Sequence, residues 1–423
     1  MKILLVATKP PWPLIDGGRL LLWHTIAGLA RHGAEITLVA PVDAGSNCEA
    51  VDHELRALCR PVLVTPSRRI RLESFARALV GGAPVSIALH RFAAMRERVQ
   101  ELIAAEAFDL IHAEQVQAVA NCEGAGFSNA PVSTLVPAIP LVLRSQNVES
   151  DLWRQLAEYR PALRPLLLRE ARRLGVWEAQ AVRRANITVA LTRGDAAQLA
   201  ALANESGDVH HVGKVHHVPA PFPAELAPGR APVLAGVPPV VLFAGTGWLP
   251  NREGVRWFIR DVWPVVCERL PDAVLHIFGS VSVRGRINVV THASPSDSSA
   301  VFAAEAVLVV PLRVASGVRM KILEAWARGI PVVTTPEAAA GLEAADGSEL
   351  LLARDAIAFA FALESVTRSA ELREGLVRRA RALLRANHDP ATVTRRMLAV
   401  YRQVLPQAVS HQLTGAAALR GDG

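Results

Sequence analysis

Cysteine, lysine and long apolar runs are all scarce in this sequence of 423 residues. Its four cysteines form no CxxC pair and no spacing with histidine that suits a metal, which excludes a disulfide framework and a zinc site. No uninterrupted apolar stretch reaches the ~18 residues of a membrane span. The apolar start MKILLVAT is shorter than a signal peptide requires, and Lys9 follows it at once. The sequence therefore predicts a cytoplasmic protein.

Lysine is much rarer than arginine. Only Lys2, Lys9, Lys214 and Lys321 contribute to the 46 lysines and arginines of the chain. Where arginine is favoured this strongly, a retained lysine can answer a local need for a compact point charge. Lys321 attracts attention for this reason, because it lies in the most informative motif of the sequence.

The net charge of +7 and the isoelectric point of 9.8 are compatible with nucleic acid, an anionic membrane or a phosphorylated substrate. No nucleic-acid-binding motif occurs and the basic residues are spread along the chain, so nucleic acid is not an expected partner. Residues 68–77 and 154–184 are Arg-rich, and the second segment, which directly follows Trp153, also carries Trp177 and many leucines. Two interpretations stay open: peripheral contact with an anionic membrane, or core-facing helices with a solvated arginine side.

The length predicts two α/β domains of about 200 residues each. We expect an N-terminal Rossmann-like acceptor domain at 1–215, a linker at 216–238 and a C-terminal Rossmann-like domain at 239–388. A helix at 389–404 is expected to return to the N-terminal domain, before a flexible tail at 405–423. The linker belongs to a stretch, 210–239, that is rich in Pro, Gly and His. No third type of metal ligand accompanies its four histidines, so no metal is predicted there.

Residues 307–335 predict a strand, a short polar loop, a helix and a second strand, which together form a βαβ unit. Arg319 and Lys321 fall at the start of that helix, and Glu324 follows one turn later. Two cations at a helix N-terminus suit a phosphate, and the carboxylate suits a pair of sugar hydroxyls. The alternative is an ordinary surface helix with solvated charges.

A second βαβ unit opens the chain, with Gly17 and Gly18 at the turn between strand and helix. Paired glycines allow backbone amides to approach an anion, although any tight turn can use them. His112, on a later strand, is interpreted as a structural histidine.

The stretch VLVVPLRVASGVRMKILEAWARGIPVVTT resembles the donor-site motif of retaining glycosyltransferases of family 4. The resemblance implies the GT-B fold, in which two Rossmann-like domains face each other across a cleft. It implies that Glu324 binds the ribose of a nucleotide sugar. Many members carry an earlier glutamate that contacts the donor sugar, and here that position is Ser316, followed by Gly317.

Two further stretches carry the resemblance. RSQNVES is similar to the family's R-x-HNVE, with Gln146 in place of a histidine that lies near the reacting sugar. FAGTGWLPN is similar to FxGxxxxxPN, which places Gly245 and Asn251 at the donor site, with Asn251 expected to cap the helix. Better-known members hold the diphosphate with Arg and Lys after this strand; this chain has Thr246 and Trp248. Arg319 and Lys321 are then the nearest substitutes.

The implied function is a hexosyltransferase-like retaining enzyme of polysaccharide biosynthesis, which moves a sugar from a nucleoside diphosphate sugar to a glycan, lipid-linked or small-molecule acceptor. No metal and no other cofactor is expected. Arg319, Lys321 and Gln146 are the predicted catalytic residues. The alternative is a catalytically weak or inactive nucleotide-sugar-binding protein, because the usual His and first Glu are replaced. An epimerase of the same fold has no supporting carboxylate pair. The predicted substrate-binding residues are Gly17, Gly18, Gly245, Asn251, Ser316, Gly317 and Glu324.

Overall fold

The structure, a computed structural model, describes residues 1–43, 45, 48–66, 83–123, 139–204, 214–227, 233–245, 249–281, 283, 285–295 and 297–405. The chain divides into two compact units. The first unit comprises Met1–Trp12, Thr25–Val218 and the chain from Thr394 onward, and the second comprises Pro13–His24 and Pro219–Val393. Each unit contains one parallel sheet with helices packed against it, as predicted.

The first unit is built on seven strands in the order β3-β2-β1-β4-β5-β6-β7, and all of its registers are parallel. Parallel strands are covered on both faces, so they consist of nearly continuous apolar runs. KILLV and LVLRS follow this rule, since every residue of both strands after Lys2 is buried. The strands are β1 (Lys2–Val6), β2 (Glu35–Pro41), β3 (Arg60–Val64), β4 (Leu110–Glu114), β5 (Leu141–Ser145), β6 (Ile187–Ala190) and β7 (Val215–His217).

The helices that cover this sheet bury one apolar face against it. The helix Ala93–Ala105, for example, buries Met95, Val99 and Leu102 in the core. The helix α1 divides between the two units. The helices in this part of the chain are α1 (Gly17–Arg31), α2 (Cys48–Arg56), α3 (Val85–His90), α4 (Ala93–Ala105), α5 (Val116–Cys122), α6 (Glu149–Glu158), α7 (Arg164–Arg184) and α8 (Arg193–Asn204), with a 3-10 turn at Pro161–Leu163.

The second unit carries six strands in the order β10-β9-β8-β11-β12-β13, again with parallel registers. Its strands are β8 (Pro239–Gly245), β9 (Val274–Gly279), β10 (Val289–His292), β11 (Val307–Val310), β12 (Val332–Thr334) and β13 (Leu351–Leu352). Its helices are α9 (Leu249–Trp257), α10 (Trp263–Arg269), α11 (Met320–Ala327), α12 (Pro336–Ala339), α13 (Ala356–Arg368), α14 (Ala370–Leu383) and α15 (Pro390–Arg402), the last of which runs into the first unit. Single turns of other helix types lie at Phe258–Val262, Ser298–Val301 and Leu384–His388.

The structure corrects two local expectations, and others fall on residues that it does not describe. Val215–His217, within the stretch interpreted as a linker, forms the edge strand β7 and pairs with β6. Gly17 and Gly18 begin α1 rather than preceding it. The Arg-rich segment 68–77, His210, His211 and residues 406–423 lie outside the described residues.

Both sheets reverse their strand order next to the first strand of the unit, between β1 and β4 in one and between β8 and β11 in the other. In open α/β sheets, ligands bind outside the carboxyl ends of the strands at such a reversal. The two sets of candidate residues lie at these two places.

Candidate functional site

The loop between β11 and α11 opens the candidate donor site of the second unit. Pro311 follows the strand, and its carbonyl oxygen lies so close to α9 that a Cβ built on Gly254 would come within 2.5 Å of it. Arg313 is held to Glu253 of α9 at 3.1 Å and is therefore occupied in the structure of the loop. Ser316 and Gly317 complete the turn, Gly317 with a φ of 72°. The loop reaches α11 with its path determined by these contacts.

Lys321 points from the first turn of α11 towards the end of β8. Its ammonium donates a hydrogen bond of 2.6 Å to the carbonyl oxygen of Phe243 and lies 5.7 Å from the centre of that ring. The residue is half-buried, but its charged end is surrounded by protein. Burial, followed by the neighbouring charge of Arg319, lowers the pKa of Lys321 to about 7. Loss of solvent is the main cause of this shift and the neighbouring guanidinium of Arg319 adds to it, so an anion bound beside both groups would favour the charged form of Lys321.

Arg319 precedes the first residue of α11 and is 9% exposed. Its guanidinium donates to the carbonyl oxygen of Ser316, so the predicted anion-binding pair and the predicted sugar-contacting position lie side by side. The sequence prediction that Lys321 and Glu324 lie on the first turns of this helix is confirmed, and Arg319 occupies the position just before it. The alternative of two solvated surface charges is not what the structure shows, since Arg319 is buried and Lys321 is hydrogen-bonded inward.

Glu324 lies one turn further along α11 and is 3% exposed. Its Oε1 accepts hydrogen bonds from Ser298 Oγ at 2.8 Å and from Arg328 Nη2 at 2.9 Å. Burial raises the pKa of this carboxyl, and the Arg328 charge opposes the rise. Within the described part of the chain, the hydrogen bonds from Ser298 and Arg328 all go to Oε1, which leaves Oε2 for a ligand. Sequence reasoning missed both partners, although Arg328 lies four residues away on the same helix face.

Gly245 ends β8 with a φ of 61°, and Gly279 ends the neighbouring β9 with a φ of 135°. A Cβ on Gly279 would come within 2.6 Å of the Gly245 carbonyl oxygen, so the two strand ends approach as closely as backbone allows. The sequence predicted that Asn251 caps α9, but in the structure it does not. It lies inside the helix, which begins at Leu249, three residues earlier than expected, and its Nδ2 donates a hydrogen bond of 2.7 Å to the Ala244 carbonyl oxygen. Thr246 and Trp248 lie outside the described residues.

Gly17 also belongs to this unit, and a Cβ placed there would come within 3.1 Å of the Met320 side chain. The structure thus brings Gly17 against the first residue of α11, next to Lys321, with Gly18 following it in the first turn of α1. Asp16 closes that turn, since its Oδ1 accepts a hydrogen bond of 3.1 Å from Arg19 N. This proximity could not be read from the sequence, where the two glycines are some three hundred residues from Met320.

Gln146 lies in the first unit, just after β5, and belongs to a buried hydrogen-bond network. Its Nε2 donates 2.7 Å to Glu114 Oε1, and it is 8% exposed. Glu114 is 2% exposed and bonded to Arg144, with Arg144 Nε at 2.8 Å from Oε2. Burial pushes the pKa of Glu114 upwards, but Arg144 and His112 outweigh it and hold the pKa at about 2. The carboxylate is therefore ionised at neutral pH and only accepts hydrogen bonds.

The network continues beyond Gln146 to residues that sequence reasoning did not single out. Gln115 Nε2 donates 2.8 Å to Gln146 Oε1, and Thr8 Oγ1 donates 2.6 Å to Gln115 Oε1. Thr8, Gln115 and Gln146 follow β1, β4 and β5, which are neighbours in the sheet. The available signal was positional: polar side chains directly after three buried runs.

His112 is fully buried between Tyr401 of α15 and Glu114, at 2.5 Å from the tyrosine hydroxyl and 3.1 Å from the carboxylate. Burial lowers the pKa of His112 despite Glu114. This is the structural histidine that the sequence favoured.

Glu178, on α7, fixes the chain that follows Gln146. Its Oε1 accepts 2.6 Å from Glu149 N and its Oε2 accepts 3.1 Å from Ser150 N, which closes the first turn of α6. Burial raises the pKa of Glu178 to about 7. The position of Gln146 is thereby supported from both sides.

The fold is shared with solved structures of other proteins. Sucrose-phosphate synthase from Thermosynechococcus elongatus superposes with a TM-score of 0.67 and 15% identity over 95% of this chain and 98% of that one. HepE of Anabaena, in complex with UDP, gives a TM-score of 0.61 and 15% identity over 96% and 100% of the two chains. The two parallel sheets together with these likenesses define the GT-B fold, as predicted.

Residues 238–369 match the family of glycosyl transferases group 1, in agreement with the resemblance found in the sequence. An uncharacterized 44.6 kDa protein in the cps region of Klebsiella pneumoniae is 25% identical over 168 residues, which are 36% of this chain and 43% of that protein. The match therefore spans less than half of that relative's length.

No group of three or more His, Cys, Asp or Glu side chains among the described residues is arranged to hold a metal ion. Within the same residues, no helix is long and apolar enough to cross a membrane.

Proposed function

We propose that this protein transfers a sugar from a nucleoside diphosphate sugar to a hydroxyl-bearing acceptor, with retention at the anomeric carbon and without a metal ion. The observation that carries the proposal is the inward-pointing ammonium of Lys321 beside Arg319, at the opening of α11 and at the strand reversal of the second unit. A diphosphate would supply negative charge beside these two cationic side chains.

Departure of a nucleoside diphosphate builds negative charge on its phosphate oxygens. Donors that already point at that charge in a site shielded from water lower the barrier, because they need no reorganisation during the reaction. In the proposal, Lys321 and Arg319 supply these donors, with positions fixed by their hydrogen bonds to the carbonyl oxygens of Phe243 and Ser316. Retention follows in the proposal if the leaving phosphate takes the acceptor's proton on the same face, so that no carboxylate base is required.

The proposal assigns the ribose to Glu324, with Oε2 as the accepting atom, and the sugar-acceptor contacts to the first unit around Gln146. HepE is a protein of this fold that binds UDP, and a relative is encoded in a cps region. Both support a nucleotide-sugar donor and a glycan or lipid-linked acceptor for this chain. Gln146 can orient a hydroxyl as a neutral donor and acceptor.

Donor turnover separates this proposal from a binding protein without activity. A thermal-shift screen of UDP, GDP, ADP, CMP and their sugars first identifies the nucleotide, since a ligand at 100 times its Kd stabilises by about 2.7 kcal/mol. Slow hydrolysis of the selected, radiolabelled nucleotide sugar without acceptor is then expected, with the product sugar recovered. Binding without any hydrolysis would favour the inactive binder.

Glu324→Gln is expected to weaken the affinity for the selected nucleoside diphosphate at least tenfold, because a charge-assisted hydrogen bond is worth about 1.5–3 kcal/mol. Affinity for inorganic pyrophosphate, which has no ribose, should stay unchanged. Titration calorimetry with both ligands measures the difference. An equal loss for both ligands, or a loss below tenfold for the nucleotide, would show that Glu324 only supports Ser298 and Arg328.

We also propose that the exposed side chains between Leu163 and Val176, on α7 and the turn before it, contact an anionic membrane surface that presents a lipid-linked acceptor. Leu163, Leu166 and Val176 are 51%, 52% and 60% exposed, and Arg169 and Arg172 are exposed among them. Trp153 and Trp177 do not contribute to this exposed surface, since both pack against the core of the unit. Apolar side chains mixed with arginines suit an anionic interface.

The double variant Arg169→Ala/Arg172→Ala should reduce partitioning to anionic vesicles about 30-fold, at about 1 kcal/mol for each arginine near the surface. Flotation with phosphatidylglycerol-containing vesicles at low salt measures this, and neutral vesicles serve as the control. If the unmodified protein stays unbound at low salt, the helix is an ordinary solvated one.

A further inference from the structure

The hydrogen-bond network of the first unit has a direction that is set at one end. Glu114 is ionised and can only accept, so the Gln146 amide must turn its nitrogen towards it. Gln146 Oε1 then faces Gln115 and requires the nitrogen of that amide. Gln115 Oε1 in turn requires the proton of the Thr8 hydroxyl. Reversal of either amide would place an oxygen against an oxygen.

Thr8 is the end of this chain. Its hydroxyl proton is committed to Gln115, and the remaining lone pairs of Oγ1 can only accept. Thr8 is half-buried and lies just beyond the carboxyl end of β1. Among the described residues, the Thr8 hydroxyl has Gln115 as its hydrogen-bond partner. Thr8 Oγ1 is therefore a hydrogen-bond acceptor. It is polarised by the buried carboxylate of Glu114 through three successive hydrogen bonds.

Gln115 has an unusual backbone. Its φ is 73° and its ψ is 153°, a combination that is open to glycine and costly for any residue with a side chain. Strain of this kind persists only where the surrounding structure holds the residue in place, and it clusters at functional sites. Here the only hydrogen bonds described for that side chain go to Gln146 and Thr8.

We propose that Thr8 Oγ1 accepts a hydrogen bond from a hydroxyl group of the acceptor substrate, a carbohydrate or polyol, and that Gln115 positions Thr8 for this contact. The inference rests on the proposed glycosyl transfer for the identity of the ligand. The observations that carry it are the one-way hydrogen-bond chain and the strained residue in its middle.

The experiment compares Thr8→Val, which keeps the shape and removes the hydroxyl, with Thr8→Ser, which keeps the hydroxyl. The probe acceptor is n-octyl β-D-glucopyranoside below its critical micelle concentration. Thr8→Val is expected to lower kcat/KM for this acceptor about five- to tenfold, mainly through KM, while Thr8→Ser stays near the unmodified protein. Hydrolysis of the donor without acceptor should remain within about twofold in both.

Gln115→Gly provides an independent check, because it removes the side chain and relieves the backbone. Its melting temperature is expected to equal or exceed that of the unmodified protein, while kcat/KM for the glucoside falls as in Thr8→Val. Equal losses of transfer and hydrolysis in Thr8→Val, or no loss of either, would overturn the proposal.

Failure of the proposed function has a different signature, namely no donor hydrolysis and no transfer by the unmodified protein. Binding of the same glucoside is then followed by saturation-transfer NMR. A signal from the unmodified protein and Thr8→Ser that is lost in Thr8→Val supports the hydroxyl contact. An equal signal in all three, or none in the unmodified protein, refutes it.

Discussion

Replacing Lys321 with methionine should lower kcat/KM for the nucleotide sugar by about 10²–10³, the usual cost of removing one preorganised donor from developing charge. Methionine keeps the unbranched stem that lies beside Phe243 and removes only the ammonium. Affinity for the nucleoside diphosphate should fall far more than affinity for the nucleoside, because the nucleoside lacks the charged group. Equal losses for both would place Lys321 outside the diphosphate site.

The same residue predicts a pH dependence. With its pKa lowered to about 7, Lys321 is charged below neutral pH and increasingly neutral above it. A bound diphosphate stabilises the charged form, so binding above pH 7 must take up a proton. Affinity for the nucleotide sugar should therefore decrease as pH rises above 7, by up to about tenfold per pH unit, until the pKa of the complex is reached.

Lys321→Met provides the control for this pH profile, since its affinity should be low and nearly flat over the same range. The diphosphate of a nucleotide sugar does not titrate there, so a slope in the unmodified protein belongs to the protein. A flat profile for the unmodified protein would mean that Lys321 keeps its charge throughout and that its surroundings are wetter than the structure shows.

The donor half of the site could be predicted because its signals are local. The apolar run of β11, the break at Pro311 and the stop at Gly329 all lie within one βαβ unit, and the structure has α11 at Met320–Ala327 with Gly329 at a φ of 80°. The motif then places Lys321 and Glu324 on the first turns without any knowledge of the rest of the fold.

The network of the first unit could not be predicted in the same way. Thr8 and Gln115 are 107 residues apart, and they meet only because β1 and β4 are adjacent in the sheet. Strand order is a property of the whole domain, which local patterns do not reveal. The strand β7 was missed for a related reason: three residues in a Pro-, Gly- and His-rich stretch become a strand only by pairing with β6.

The pair formed by Glu114 and Arg144 is the other place where a single change should have a large effect. Both side chains are almost completely buried, and Arg144 Nη2 lies 2.5 Å from Glu114 Oε2. Removing one member of a buried pair leaves the other charge without compensation, which costs about 3–5 kcal/mol. Glu114→Leu should therefore lower the free energy of unfolding of the first unit by this amount, seen in urea denaturation followed by tryptophan fluorescence.

The double variant Glu114→Leu/Arg144→Met separates stability from function. Replacing a buried ion pair by apolar side chains of similar volume is often close to neutral, so most of the lost stability should return. Sugar transfer should not return, because no charge then orients the Gln146 amide and the direction of hydrogen bonding towards Thr8 is lost. Donor hydrolysis, which depends on Lys321 and Arg319, should recover together with the fold.

Recovery of full transfer in the double variant would show that Glu114 serves only to neutralise Arg144. A single variant as stable as the unmodified protein would show that the pair is solvated. The expected combination, a restored fold with hydrolysis but without transfer, makes Glu114 the residue that positions the acceptor side of the site.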